Sequence, residues 1–355
     1  MELALRLAQR GLGRVWPNPA VGCVLIDDAG HVVGSGWTQD GGRPHAETQA
    51  IAQAGEAARG ATAYVSLEPC AHHGITGPCV DALIRAGVSR VVSAVEDPDQ
   101  RVSGKGHAKL SAAGIEVRTK VLGAQALELN AGFFSRVQRN RPFVTLKLAT
   151  TLDGKIALPS GESRWITGQE ARTHVHLMRA QNDAVMVGIG SALADDPELT
   201  CRLRGVHHSR LVRVVVDSHA RLPAKSKLAI SAAKQPVWLL TGRSSGIETL
   251  AALNVKTIAV PHGQLGVDLG LGLSALAELG LTRIFVEGGA RLASSLLKSG
   301  FVDQLLWYRA PTVMGEGLSA VAAMGAIDLR GLPRFILKET IRLGEDVLET
   351  YRRST

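Results

Sequence analysis

His45-Ala46-Glu47, Pro69-Cys70 and Cys79 supply one imidazole, two thiols and a carboxylate. These are the components of a hydrolytic zinc site. Two thiolates and an imidazole fill three of the four tetrahedral positions that zinc prefers, leaving the fourth for water. Zinc lowers the pKa of such a water to about 7, so a hydrolytic nucleophile is available near neutral pH. Glu47 stands two positions after His45, too close to be a convenient fourth ligand and well placed to move protons. Zinc is therefore expected on His45, Cys70 and Cys79, with Glu47 as the catalytic acid–base.

H-x-E followed by P-C is the pattern of zinc nucleobase deaminases. Its common form closes with C-x-x-C, whereas eight residues, Ala-His-His-Gly-Ile-Thr-Gly-Pro, separate Cys70 from Cys79 here. Neither a lone H-x-E nor two spaced cysteines would mean much. Together, with Pro69 before the first cysteine and an apolar strand, Ala61–Leu67, leading into it, they form a specific signal. On the residues alone a closed structural zinc knot stays open, because His72 or His73 could complete four protein ligands. Helices starting near His45 and near Cys79 place both metal elements at helix N-termini, where the dipole favours thiolate over thiol.

The elements that must hold these side chains alternate. A helix is expected over Glu2–Gly11, then the turn Trp16-Pro17-Asn18-Pro19 and a hairpin of Ala20–Asp27 and His31–Trp37. Asn18, on a turn stiffened by two prolines, suits a contact to base or ribose. A helix from His45 to Ala58, strand Ala61–Leu67, a helix from Cys79 through Ala86, strand Arg90–Val95, helix Lys105–Ala113 and strand Glu116–Thr119 complete the unit. One linking helix, Ala124–Arg139, ends at Asn140-Arg141-Pro142, which marks a boundary. Domains of 1–141 and 142–355 follow, as a chain of 355 residues leads one to expect.

The second half also reads as α/β. Strands are expected at Phe143–Ala149, Ala184–Val187, Leu211–Val216, Pro236–Leu240, Arg283–Val286, Leu305–Ala310 and Val347–Tyr351, and helices at Gly168–Ala180, Ser274–Leu279 and Ala290–Ser299. In Val286-Glu287-Gly288-Gly289 a strand passes straight into a helix. Such a turn can bring backbone N–H groups against a phosphate. A plain tight turn explains it equally well, and it is not the G-x-G-x-x-G fingerprint. Lys147 sits inside an apolar strand, Ser163 follows a Gly-containing turn, Arg179 closes a helix, Asp195-Asp196 follow a Gly-rich segment and Ser218 ends an apolar strand. Open α/β sheets gather ligands at the carboxyl ends of strands. For Asp195 and Asp196 a cap or turn role has equal standing.

Composition narrows the partners. The formal charge is +8, yet no long Lys/Arg run appears and aromatic residues make up 4%, few for base stacking. Phosphorylated small molecules fit that balance, and no nucleic-acid partner is expected. No stretch approaches 18 consecutive apolar residues, and the N-terminal helix carries charges where a secretory signal would be apolar. Four cysteines are too few for a disulfide framework, and Cys23 and Cys201 read as free thiols. A cytoplasmic, non-membrane protein is expected, as a homo-oligomer.

The residues Pro17-Asn18-Pro19, Val21-Gly22, His45-Ala46-Glu47, Leu67-Glu68-Pro69-Cys70, His72-His73-Gly74 and Pro78-Cys79 occur in this order, followed by Lys147, Leu152-Asp153-Gly154-Lys155, Gly161-Glu162-Ser163, Trp165-Ile166-Thr167, Leu193-Ala194-Asp195-Asp196-Pro197 and Val286-Glu287-Gly288-Gly289. This series resembles the bacterial bifunctional riboflavin-biosynthesis deaminase/reductase family, nearly end to end from about residue 1 to 352. The resemblance implies a cytidine-deaminase-like three-layer domain followed by a dihydrofolate-reductase-like domain. It implies hydrolysis of the 2-amino group of a diaminopyrimidinone ribosylamino phosphate, then reduction of its ribosyl group to ribityl by NADPH. By position, Ser163, Arg179, Leu199, Arg202 and Glu287 would meet substrate. Ala149, Trp165, Ser191, Asp195, Ser218 and the run Gly289, Ala290, Arg291, Leu292, Ala293, Ser294, Ser295 would meet cofactor, with Ser218 near the 2'-phosphate. Lys147 and Asp195 are expected to place or move the proton in the reduction, by charge and position. Two rival readings are a single-function nucleoside or tRNA deaminase with an unrelated second domain, and a zinc-stabilised binding protein without catalysis.

Overall fold

A computed structural model describes every residue except 75–76, 101–102, 207–209, 264–265, 326–327 and 355. The middle of the Cys70–Cys79 segment thus lies outside the described residues. The chain divides into two compact units, Met1–Arg141 and Pro142–Thr355.

In the first unit, strands β1 (Gly22–Ile26), β2 (Val32–Trp37), β3 (Thr62–Val65), β4 (Arg90–Ser93) and β5 (Glu116–Arg118) form one sheet in the order β2-β1-β3-β4-β5. β1 runs antiparallel to β2 and β3, while β3, β4 and β5 are parallel. Helices α1 (Glu2–Gln9), α2 (Ala46–Ala54), α3 (Cys79–Ala86) and α4 (Lys105–Ala112) pack with this sheet and with one another. Cys23, Leu25, Ala50, Val65, Val80, Leu83 and Val91 belong to the shared core.

The close seat of α2 has a local cause. A Cβ on Gly34 would stand 2.2 Å from the Ala50 carbonyl oxygen, and one on Gly36 would stand 2.5 Å from that of Ala46. Only glycine at both positions of β2 lets α2 approach so near. That approach fixes the helix start that carries His45 and Glu47.

Two expectations change here. The helix from His45 stops at Ala54, because Gly55 adopts φ +53° and the chain tightens into a 3₁₀ turn, Gly55–Ala58. The single linking helix is two helices, α5 (Gly123–Leu129) and α6 (Ala131–Arg139), broken at Asn130. Asn130 is buried, and its amide accepts from Ala20 N and donates to Ala20 O, both at 2.9 Å. This paired bond to the chain beside β1 takes precedence over helix continuity.

The second unit carries a nine-stranded sheet. Its strands are β6 (Phe143–Thr150), β7 (Ala184–Gly188), β8 (Val212–Val216), β9 (Val237–Thr241), β10 (Val255–Ala259), β11 (Arg283–Val286), β12 (Gln304–Arg309), β13 (Phe335–Leu343) and β14 (Asp346–Arg353). The order is β10-β9-β8-β7-β11-β6-β12-β14-β13. Parallel pairing runs from β10 to β12, and the last two strands are antiparallel. Helices α7 (Gln169–Ala180), α8 (Ile189–Asp195), α9 (Lys227–Ile230), α10 (Glu248–Ala252), α11 (Leu269–Glu278) and α12 (Ala290–Lys298) connect them.

Several of these elements are silent in the sequence. β13 is exposed along most of its length and lacks apolar alternation. α8 contains Gly190, and α11 opens with Gly270 and Gly272, which argue against helix. The Asp268 side chain caps α11 by accepting from Leu271 N at 3.0 Å, so the helix starts five residues before Ser274.

Candidate active sites

His45 is the N-cap of α2, Cys70 follows β3, and Cys79 is the first residue of α3. Their ligand atoms lie within 4.8 Å of one another. His45 Nδ1 is 3.2 Å from Cys79 Sγ and 3.7 Å from Cys70 Sγ, and Cys79 N donates to Cys70 Sγ at 3.3 Å. Donors on zinc bonds of about 2.0–2.3 Å at tetrahedral angles stand roughly 3.5 Å apart. The cluster therefore fits a zinc ion. Among the described residues neither His72 nor His73 joins it, so the protein supplies three ligands rather than a closed set of four. Arg43 Nη1 lies 3.3 Å from His45 Nε2, on the ring nitrogen turned away from the sulfurs.

The electrostatics of this cluster are uneven. The hydrogen bond with Cys79 pulls the Cys70 thiol down to about 4, against burial and with help from His45. The same bond, with burial, pushes the Cys79 thiol up. Glu47, in the first turn of α2, is 4% exposed. Burial, and then the nearby Cys70 sulfur, push its carboxyl above the usual carboxylate range. A carboxyl poised nearer neutral pH can both take and return a proton. Asn18 packs against Gly42, whose φ of +87° and missing Cβ leave room for the amide, three residues before His45.

Sequence reasoning did not single out two carboxylates near this site. Glu68 is buried and accepts from Gly106 N at 2.9 Å, Gly104 N at 3.0 Å, Asp97 N at 3.2 Å and His107 N at 3.3 Å. It ties the Pro69-Cys70 segment to the start of α4. Asp97 is also buried, and burial pushes its carboxyl up to about 6 against the hydrogen bond it accepts from Asp99 N, with the charges of Asp99, Glu68 and Cys70 adding to the rise. The only cue was position, an acidic residue shortly after each apolar strand, and it names no partner.

In the second unit a cleft of about 1790 Å³ opens past the carboxyl ends of β6, β7, β8 and β11. It exceeds the few hundred Å³ that hold one small ligand and has room for two molecules. Lys147, Ala149, Ser163, Trp165, Arg179, Ser191, Asp195, Leu199, Ser218, Glu287, Gly289, Ala290, Arg291, Leu292 and Ser295 all line it. Three expected contacts do not. Ala293 is fully buried, on the core face of α12. The Ser294 hydroxyl turns inward to the carbonyl oxygens of Ala290 and Ala322. Arg202 lies outside the lining, 3.5 Å from Glu198. Asp195 closes α8, and Asp196, with φ +38°, accepts from Lys227 N at the start of α9, so the cap reading holds for Asp196.

The cleft floor is an ion pair. Arg179 Nε donates to Glu287 Oε1 at 2.5 Å and Nη2 to Oε2 at 3.0 Å, while Nη1 donates to Thr200 O at 2.7 Å. Burial would raise the Glu287 carboxyl, but Arg179 against it, with Lys147 beyond, holds it below the usual range. Burial pulls the Lys147 ammonium down, and the Glu287 and Asp195 charges oppose that shift. Arg213, fully buried, donates to Glu198 O, Ser231 O and Gln235 O and to Ser231 Oγ, and so fastens the 196–200 loop from beneath. Gly289 has φ −70°, an ordinary extended conformation, so no left-handed backbone requires glycine there. The constraint is space, since a Cβ would stand 3.0 Å from Ser191 Oγ.

Comparison with known proteins bears on both units. Residues 1–95 match the family described as the cytidine and deoxycytidylate deaminase zinc-binding region, and residues 142–348 match the RibD C-terminal domain. The riboflavin biosynthesis protein RibD of Aquifex aeolicus is 41% identical over 99% of this chain and 97% of its own length. That of Escherichia coli is 40% identical over 98% and 96%. The chain belongs to the RibD family. A solved RibD structure from Acinetobacter baumannii superposes with a TM-score of 0.91 at 37% identity, covering 100% of this chain and 98% of that one. A Thermotoga maritima structure described as a diaminohydroxyphosphoribosylaminopyrimidine deaminase/5-amino-6-(5-phosphoribosylamino)uracil reductase gives 0.88 at 35%, covering 100% and 97%.

RibD proteins are bifunctional deaminase/reductase enzymes of riboflavin biosynthesis, and this chain carries both parts. The zinc-binding region contains the His45, Cys70, Cys79 cluster, and the reductase family uses NADPH. The readings as a lone nucleoside or tRNA deaminase and as a non-catalytic zinc protein are thereby set aside. No described helix is long and apolar enough to cross a membrane.

Proposed function

We propose that unit 1–141 hydrolyses the exocyclic amino group of a 2,5-diamino-6-(phosphoribosylamino)pyrimidinone, and that unit 142–355 then reduces its ribosyl group to ribityl with NADPH. The observation that carries the first half is a three-ligand metal cluster beside a buried Glu47 of raised pKa. Bound zinc supplies an acidified water. Glu47 takes the water proton, gives a proton to the ring nitrogen and assists departure of ammonia as a carbonyl forms. Asn18 orients the base or ribose from its rigid turn. The description of the Thermotoga maritima relative supports this substrate.

In the second half, Arg179, Glu287, Ser163 and Leu199, which line the cleft, hold the phosphorylated substrate. Ala149, Trp165, Ser191, Ser218 and, after β11, Gly289, Ala290, Arg291, Leu292 and Ser295 hold NADPH. The ribosylamine opens at C1'–O4' to an imine before hydride reaches C1', and Lys147 and Asp195 place the accompanying proton. A cytoplasmic homo-oligomer belongs to the same proposal. The exposed edge strand β13, with Ile336 and Leu337 each 52% exposed, offers it an apolar pairing surface. Supplying the ribosylamino-pyrimidine phosphate with NADPH should release ammonia first and then bleach the nicotinamide band. NADPH consumption without prior ammonia release would overturn the order, and absence of both would overturn the substrate.

Two variants test the ligands. Cys79→Ser leaves two strong protein ligands and should lower zinc content and abolish deamination. Unchanged metal stoichiometry with full activity would remove Cys79 from the site. Gly289→Val places a branched side chain where Ser191 and a phosphate meet the start of α12. It should raise the NADPH dissociation constant about tenfold or more, read by fluorescence titration, while ammonia release continues. Native affinity would take this turn out of the cofactor site.

A further inference from the structure

The end of β8 gathers donors of which the proposed contacts use only Ser218. Ser218, His219 and Arg221 line the cleft there, and His262 faces them from the next turn. The two imidazoles stack with ring centroids 5.5 Å apart and planes at 29°. Two glycines make this arrangement possible. A Cβ on Gly242, just past β9, would stand 2.0 Å from His262 Cε1 and 2.2 Å from its Nδ1, so any side chain there displaces the ring. Gly266 has φ +123°, and a Cβ on it would lie 2.5 Å from Ser218 Oγ. That hydroxyl accepts from Val267 N at 3.0 Å, latching the His262–Gly263 and Gly266–Val267 pair to the end of β8.

Of the two nearby acids, one is buried away from this pocket and the other is engaged as a helix cap at its wall. Asp217 sits at the strand end, where an exposed carboxylate would suit a ribose hydroxyl and repel a phosphate. It is fully buried instead; one oxygen accepts from Leu222 N at 2.8 Å, and the other lies 3.9 Å from Arg221 Nε. Asp268 caps α11. The donors facing the cleft here are a hydroxyl, two imidazoles and a guanidinium, a set suited to a phosphate monoester, with Asp268 at the wall spending one oxygen on Leu271 N.

We propose that His219 and His262, with Arg221 and Ser218, form the seat for the extra phosphate that distinguishes NADPH from NADH. This rests on the reading of the cleft as the NADPH site and names the residues that set its specificity. Each ring offers an N–H donor, and Gly242 keeps His262 in register with its partner. Charge-assisted bonds of this kind are lost with the imidazole but leave the shared part of the dinucleotide untouched.

The test is fluorescence titration of native protein, His219→Gln and His262→Gln with NADPH and with NADH, paired with displacement by adenosine 2',5'-bisphosphate. Native protein should prefer NADPH. Each variant should lose about tenfold in NADPH affinity, equivalent to one lost charge-assisted bond, while NADH affinity stays within about twofold. The bisphosphate should displace NADPH less well from both variants. An unchanged NADPH-to-NADH ratio in the variants overturns the seat while the cofactor reading stands. Equal loss for both cofactors also overturns it, by placing the rings against the common part of the molecule. Native protein that binds both alike overturns the seat as well, and native protein that binds neither overturns the cofactor reading itself.

Discussion

Glu47→Gln is expected to cut ammonia release by about 10²–10⁴ while leaving zinc in place, because acid–base catalysis of this kind has that worth. The substitution keeps shape and volume and removes only the ability to carry a proton. Glu47 is outside the His45, Cys70, Cys79 cluster, so metal content should not change. It is almost fully buried, and burial is the first cause of its raised pKa. A neutral amide is therefore tolerated at that position. Reduction of pre-deaminated substrate should persist, since the residue lies in a unit with its own core. Zinc loss in this variant, or deamination near the native rate, would sink the assignment.

Arg179→Met should have the largest effect on stability. The guanidinium makes two bonds to Glu287 and one to Thr200 O, and both partners are about 10% exposed. Removing one member of a buried pair strands the other charge and costs about 3–5 kcal/mol. The folded-state pKa of Glu287 is below its usual value, so the native pair contributes stability above the unfolded pKa. That contribution is lost as pH falls through the folded value. Without Arg179, burial raises the carboxyl instead. The deficit of the variant should thus be widest near neutral pH and shrink in acid. Urea unfolding of both proteins across that range measures it, and a pH-independent deficit would contradict the ion-pair account.

The deaminase chemistry was legible because its residues sit at fixed short spacings: His45 and Glu47 on one helix start, Pro69-Cys70 directly after a strand. Distance along the chain hid the rest. Glu68 acts on backbone groups some thirty to forty positions away, and no local pattern announces that. In the second unit, strands read from apolar runs came out near their observed bounds, because parallel strands buried on both faces are nearly continuous apolar stretches. β13 escaped because it is an edge strand with little to bury. Ala293 and Ser294 were expected in the cofactor segment as part of a contiguous run. A helix turns successive residues by about 100°, so a contiguous run cannot all face one cleft.

Asn130 makes chemical ageing a structural matter for this protein. Its side-chain amide pairs with both polar atoms of Ala20, donor to acceptor and acceptor to donor. Slow hydrolysis of that amide to a carboxylate exchanges the NH2 donor for an oxygen and adds a negative charge. The donor facing Ala20 O becomes an acceptor, and two oxygens are then held together away from water. Such a change would loosen the seam between α5, α6 and the start of β1, and the loss would track storage time and temperature rather than any change in the amino-acid code.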